Sequence, residues 1–394
     1  MLTLSTHMKA LIIFPLFLAS LSSLSAQEVT EAKEVSNPYL SVKLESERAI
    51  ATGTKYLKSQ QQPDGYWGES KTPALTALAL TAILRDPQYD HEAETPEWVA
   101  KGFKFLRSAQ KSDGGIYGKG LATYNTSTSI MAFLALGKAE DKPLILKARA
   151  FLINQQTDWG NKGETDDQFD GGIGYGGTYA HSDMSNTYLS LEALYFSKKI
   201  ATESEQSKQP KLNWDAATTF ISRCQNLPET NDQSFASGDP DNKGGFVYFP
   251  EDSKAGEQEL PDGTIALRSY GSMSYAGLLS LIYADLEKDD PRITAVLDWL
   301  SKNYTLDENP GLGQQGLYYY YQTIAKAYAA AGVDKITLPD GKTVDWRLDL
   351  SRKLLSNQRE DGSWVNPNSR WWENDPVLVS AYTLISLAQL HAVM

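Results

Sequence analysis

The chain has one cysteine among 394 residues, Cys224, and only four histidines. That scarcity excludes an internal disulfide framework, zinc sites built on several thiolates and Cys-ligated iron–sulfur clusters. Basic charge is also short: 37 Lys and Arg face 49 Asp and Glu, for a net charge of -12. Nucleic acid and anionic membrane surfaces both need a basic footprint, so neither is an expected partner. No long period-two alternation points to a sheet, and no P-loop, G-x-S-x-G or H-E-x-x-H motif occurs. Gly172-Ile173-Gly174-Tyr175-Gly176 lacks the preceding strand that a dinucleotide site requires. What remains is ordinary globular composition, 41% hydrophobic and 22% charged, with 21 Tyr and nine Trp.

Lys9 is followed by an apolar run over 10–21 and then Ser22-Ser23-Leu24-Ser25-Ala26. This is the pattern of a cleavable signal peptide over 1–26, predicting a secreted or periplasmic protein. The run is too short for a membrane-spanning helix, so no integral span is expected there. A polar leader over 27–44 and a single domain over 45–394 follow.

Internal repetition organises that domain. An apolar pair precedes a Gln four residues on: Tyr56-Leu57 with Gln61, Phe105-Leu106 with Gln110, Phe151-Leu152 with Gln156, Phe220-Ile221 with Gln225. Lys353-Leu354 with Gln358 keeps the Leu and the Gln, and Trp299-Leu300 has Tyr304 in the Gln slot. Turns follow, among them Asp64-Gly65-Tyr66-Trp67 and Asp361-Gly362-Ser363-Trp364. Each leads into a segment apolar on nearly every face: 73–84, 126–136, 186–196, 272–286, 317–330 and 377–390. The segment before each Gln is amphipathic. The reading is six hairpins of amphipathic outer helix and buried inner helix. Such hairpins bury their apolar faces only when stacked, and closure into a ring is expected. Long inserts at 157–182 and 227–269 are candidate functional loops.

The pattern Leu-x3-Gln-x2-Asp-Gly-x-Trp at 57–67 and 354–364 resembles the QW motif of the squalene cyclase and protein prenyltransferase repeat superfamily. Within it the chain is similar to compact, secreted bacterial prenyltransferase/squalene oxidase repeat proteins. The resemblance covers essentially the whole chain after the signal. It implies an all-α (α/α)6 toroid around a central cavity. Terpene cyclisation and protein prenylation are the superfamily's activities. The cyclase acid motif D-x-D-D-T corresponds here to Asp183-Met184-Ser185-Asn186-Thr187, in which Ser185 replaces the proton donor and Asn186 the second carboxylate. A hydroxyl cannot replace an acid strong enough to protonate an alkene. The Asp-x-Cys spacing of the prenyltransferase zinc site is also absent around Cys224. Whether the chain is an enzyme therefore stays open.

Candidate acid/base residues are Glu373, flanked by Trp371 and Trp372, with Asp183 and Asp375. Asp375 and Asp183 have alternative roles as helix caps. Tyr270, Tyr275, Tyr320 and Trp372, with Asn186, stand near inner-helix starts and are candidate ligand contacts. Of the run Tyr318 to Tyr321, only one or two side chains can face a cavity. No metal or cofactor is expected, although the acidic loop with Glu164, Asp166, Asp167 and Asp170 leaves calcium open. The expected ligand is an isoprenoid-like or other elongated apolar molecule. Two further readings are a carbohydrate-active toroid, pairing Glu373 with Asp183 or Asp307, and a scaffold for a protein partner.

Overall fold

A computed structural model describes residues 37–176, 181–200, 202, 205 and 207–394. The signal-like segment and most of the expected leader lie outside these residues. Pro38–Met394 form one compact unit. Helices alternate between outer and inner positions. The outer helices are α1 (Leu40–Gln60), α3 (Glu97–Ser108), α5 (Lys142–Ile153), α7 (Trp214–Arg223), α9 (Pro291–Lys302) and α11 (Trp346–Ser356). The inner helices are α2 (Pro73–Leu84), α4 (Ala122–Leu136), α6 (Met184–Ser197), α8 (Gly271–Tyr283), α10 (Leu317–Ala331) and α12 (Pro376–Val393). Residues 40–44, assigned to the leader by sequence, belong to the first turns of α1.

The inner helices pack in cyclic order: α2 on α4, α4 on α6, α6 on α8, α8 on α10, α10 on α12, and α12 back on α2. The ring is closed, as the hairpin count predicts. Composition explains the division of labour: α2 (PALTALALTAIL) is buried at all positions but Leu75, whereas α3 buries only Val99, Gly102, Phe103 and Leu106. A helix apolar all round is stable only when covered on all sides. α12 is long and apolar enough to cross a membrane, yet it stands in this inner ring and is mostly buried.

The repeated glutamines join one unit to the next. Gln61 donates from Nε2 to the Gly65 carbonyl of its own turn and to the Trp98 carbonyl of α3, both at 2.8 Å. Gln110 reaches Gly114 and Leu144 of α5; Gln156 reaches Gly171 and Asn213, the cap of α7; Gln225 reaches Gly244 and Arg292 of α9. Gln358 donates to Gly362 and, at 3.0 Å, to Ala49 of α1, joining the last outer helix to the first. Tyr304 in the variant slot follows the same rule, its hydroxyl donating to Asp349 of α11 at 3.4 Å. In each glutamine pair one bond holds the unit's own turn and the other goes to a carbonyl of the neighbouring unit, whose second lone pair can accept it.

Tryptophans close the first and the last of these turns. Trp67 and Trp364 are fully buried, and their indole N–H groups donate to Leu57 and Leu354 at 2.6 and 2.7 Å. Gly65 has φ +94°, and a Cβ there would lie 2.6 Å from the Lys101 carbonyl. Only glycine fits that approach. Two short antiparallel hairpins decorate the ring: β1 (Glu257–Glu259) with β2 (Ile265–Leu267) in the second insert, and β3 (Ile336–Thr337) with β4 (Thr343–Val344) before α11.

Candidate functional site

Side chains from five of the six inner helices line a central lumen. Tyr319, Gln322 and Lys326 of α10 recur at three and four residues, as do Tyr124, Ser127, Thr128 and Met131 of α4. Residues at that spacing share one helix face. Leu78, Thr81 and Arg85 at α2, Leu189 and Glu192 of α6, and Tyr382 and Ile385 of α12 complete the wall. The free volume is about 30 Å³. That is room for a water or two, where ligand pockets hold about 300–1,000 Å³.

The lumen is narrow because side chains meet across it. The Tyr124 and Tyr382 hydroxyls lie 2.8 Å apart, joining α4 to α12 over α2. Ser185 Oγ lies 3.3 Å from the Tyr319 hydroxyl, joining α6 to α10 over α8. Lys326 Nζ is 2.9 Å from Glu192 Oε1 and donates to the Tyr188 hydroxyl at 3.2 Å. Tyr283 donates to the same carboxylate at 3.4 Å. Glu192 is only 3% exposed, so this pair lies in a weakly screened setting. Burial lowers the Lys326 pKa and the neighbouring carboxylate opposes that shift. Burial pushes the Tyr124 hydroxyl up to about 12 and raises Tyr188 and Tyr382 as well. All three phenols stay neutral donors at physiological pH.

In the segment Asp183–Thr187, Asp183 is the N-cap of α6. It accepts from Asn186 N and Asn186 Nδ2, each at 2.8 Å. The Tyr248 hydroxyl reaches the same carboxylate and stands 3.2 Å from that of Tyr175. Asn186 is thus a partner of Asp183, and its own Oδ1 is buried with no hydrogen-bond partner. Burial raises the Asp183 pKa to about 6, against the lowering effect of these donors.

The shift gives a pH prediction. Unfolded Asp titrates near 4, so below that pH both states are protonated and burial carries no ionic penalty. Stability should fall as pH rises from about 4 and level off above about 6, by roughly 3 kcal/mol for a two-unit shift. Asp183→Asn keeps a capping side chain and should remove that part of the pH dependence. Urea midpoints of both proteins between pH 4 and 8 would check it; parallel curves would refute it.

Glu373 lies elsewhere and has a structural task. It is 1% exposed and accepts from Tyr318 N at 3.1 Å, Tyr319 N at 2.8 Å and Asn366 Nδ2 at 2.8 Å. It therefore caps α10 from a distant loop. Trp371 and Trp372 have φ +54° and +61°, and this left-handed turn precedes Glu373. Burial raises the Glu373 pKa and the accepted hydrogen bonds oppose the shift. Asp375 caps α12, accepting from Val377 N at 2.8 Å.

The other expected contacts are dispersed. Tyr270 is buried at the start of α8, outside the lumen wall. Tyr275 donates to Tyr328 at 3.0 Å, and Tyr320 donates to the Thr305 carbonyl at 2.9 Å. Both pack between helices. Trp372 is 66% exposed. Of the four adjacent tyrosines, Tyr319 alone lines the lumen.

The sequence reading did not single out Tyr124, Tyr382, Glu192, Lys326 and Arg85. A signal was present, since Glu192 and Lys326 are lone charges inside otherwise apolar inner segments. Asp307 pairs with Lys353 at 2.9 Å on the surface, so Glu373 faces no free carboxylate there. Carboxylates of the acidic loop bind their own backbone: Asp170 accepts from Trp159 N and Asp167 N, and Asp166 from Asn161 N. Among the described residues no cluster of three or more His, Cys, Asp or Glu is disposed to hold a metal. Cys224 is buried, and burial pushes its thiol up.

Residues 72–209, from α2 through the Asp183 cap, match the family model of the squalene-hopene cyclase C-terminal domain. Over 61 residues, 16% of this chain, the sequence is 39% identical to lanosterol synthase erg7A of Aspergillus fumigatus. The match spans 8% of that relative's length. The fold is similar to type II terpene cyclase MstE from Scytonema. Its apo structure aligns with TM-score 0.53 at 12% identity, over 89% of this chain and 99% of that one. Its complex with geranylgeranyl dihydroxybenzoate gives 0.52 at 12% identity, over 90% and 100%. At these identities the structural likeness is one of fold.

Proposed function

We propose that this chain belongs to the squalene cyclase superfamily and binds an isoprenoid-like or other elongated apolar ligand in its lumen without cyclising it. The carrying observation is that three tyrosines from three inner helices converge on one cavity and close it by side-chain contacts alone. Rotation of Tyr124, Tyr319 and Tyr382 would widen the lumen without moving a helix. The cyclase of like fold from Scytonema has been captured with geranylgeranyl dihydroxybenzoate, an apolar chain on an aromatic head. Two features argue against cyclisation. Ser185 stands at the proton-donor position with its hydroxyl beside Tyr319. A carbocation in the lumen would meet Lys326 and Arg85 against the single carboxylate of Glu192, a net repulsion in a weakly screened space.

The test is native mass spectrometry of the protein purified from its own host, followed by solvent extraction. One bound chain-like molecule per protein is expected, and it should be lost from a Tyr319→Ala/Tyr382→Ala variant that retains its helical circular dichroism. An empty wild-type protein would defeat the reading. The free volume of about 30 Å³ would then favour a scaffold whose inserts at 157–182 and 227–269 contact a partner. Export completes the proposal. The mature protein should begin at Gln27, and N-terminal sequencing that finds residues 1–26 still attached would exclude it.

A further inference from the structure

A second concavity has more free volume than the lumen. A groove of about 370 Å³ lies between the second insert, the C-terminal end of α9 and the turn at Pro310. Its volume is in the range of ligand pockets. Its walls are largely polar, with Arg268, Lys302, Asp241, Gln258 and Asn303 around the rings of Pro240 and Pro310.

The framework is braced before any ligand arrives. Asn242 donates to both Asp239 carboxylate oxygens and to Gln258 Oε1, and accepts from Ser269 N at 2.8 Å. The Ser269 hydroxyl donates to the Asn242 carbonyl at 2.8 Å. Below them the Trp299 indole donates to the Asp241 carbonyl at 2.8 Å. The bracing leaves groups uncommitted. Gln258 is held through its oxygen, so its amide N–H groups remain available. Asn303 is held through Nδ2, which leaves its oxygen. Lys302 is tied to Asp298 at 2.6 Å, whereas the Arg268 guanidinium has no partner among the described residues.

We infer that this groove binds an anionic saccharide, with Arg268 holding the carboxylate of a uronate unit. A guanidinium forms paired hydrogen bonds to a carboxylate, which a neutral sugar cannot return. The free amide groups of Gln258 and Asn303 match adjacent hydroxyls, and the proline rings match the C–H faces of a sugar ring. With Lys302 neutralised by Asp298, Arg268 is the uncommitted cation of the groove wall, on a chain whose net charge is -12. The site is separate from the lumen and does not depend on what the lumen holds.

Titration calorimetry of the full mature chain with a galacturonate trisaccharide, a sulfated disaccharide and a neutral maltotriose tests this. The uronate should bind at least tenfold tighter than the neutral sugar, and Arg268→Ala should remove that preference. Arg268 is exposed, so the variant should melt with the wild type. Stronger binding of the sulfated sugar would replace the carboxylate with a sulfate as the recognised anion and overturn the uronate assignment. Equal affinity for neutral and acidic sugars, no binding, or an unaffected Arg268→Ala variant would overturn the site.

Discussion

Lys326→Met is expected to cost about 3–5 kcal/mol of stability, because it leaves the Glu192 carboxylate buried beside a single weak donor, Tyr283. The charge would then be desolvated without compensation. Removing both ends, as Glu192→Leu with Lys326→Met, should recover most of that loss, since two apolar side chains need no solvation. Urea midpoints of the two single variants and the double variant form the complete cycle. A Lys326→Met protein as stable as wild type would mean that the pair is solvated and the lumen open to water. The same cycle bears on ligand entry. Glu192 and Lys326 line the lumen, so the double variant presents a ligand with a less polar wall.

Glu373→Ala should have an effect of similar size for a different reason. It frees two helix N–H groups and the Asn366 amide, all in contact with one buried carboxylate. Leaving buried donors unpaired costs about 1–3 kcal/mol each, so a loss of about 3 kcal/mol or more is expected. Glu373→Gln should fall between, as an amide oxygen can still accept from one of them. A catalytic acid shows the opposite pattern, with activity lost and folding kept. Equal denaturation midpoints for wild type and Glu373→Ala would therefore return Glu373 to the list of reactive groups.

The contrast between these residues shows what the sequence could convey. Inner helices were legible because a segment such as PALTALALTAIL has no polar face and must be covered everywhere. For the same reason it does not reveal which of its faces points to the lumen. That is why the sequence points to Tyr270, Tyr275 and Tyr320 as ligand contacts, whereas in the packed ring Tyr319 lines the lumen. The glutamines were visible as a period, but their second acceptor lies in the next outer helix or, for Gln156, at its cap. A contact to Trp98 or Ala49 is a property of the assembled ring and leaves no local trace. Glu373 was misleading because its partner helix begins 56 residues earlier, and only the left-handed Trp371-Trp372 turn carries it there. By contrast the cap at Asp375 needs only its own helix, and the sequence offered that role beside the acid/base one.

The bond from Gln358 to Ala49 has a consequence for how such a chain can change over time. An open stack of hairpins can lengthen or shorten by one unit, because its last member has a spare face. Here the sixth unit already occupies the face of the first, so gain or loss of a single hairpin would tear a seam and not extend a row. Variation is therefore steered away from the number of units and into the connections between them. The long inserts, the second of which walls the groove beside α9, are where this architecture leaves room for novelty.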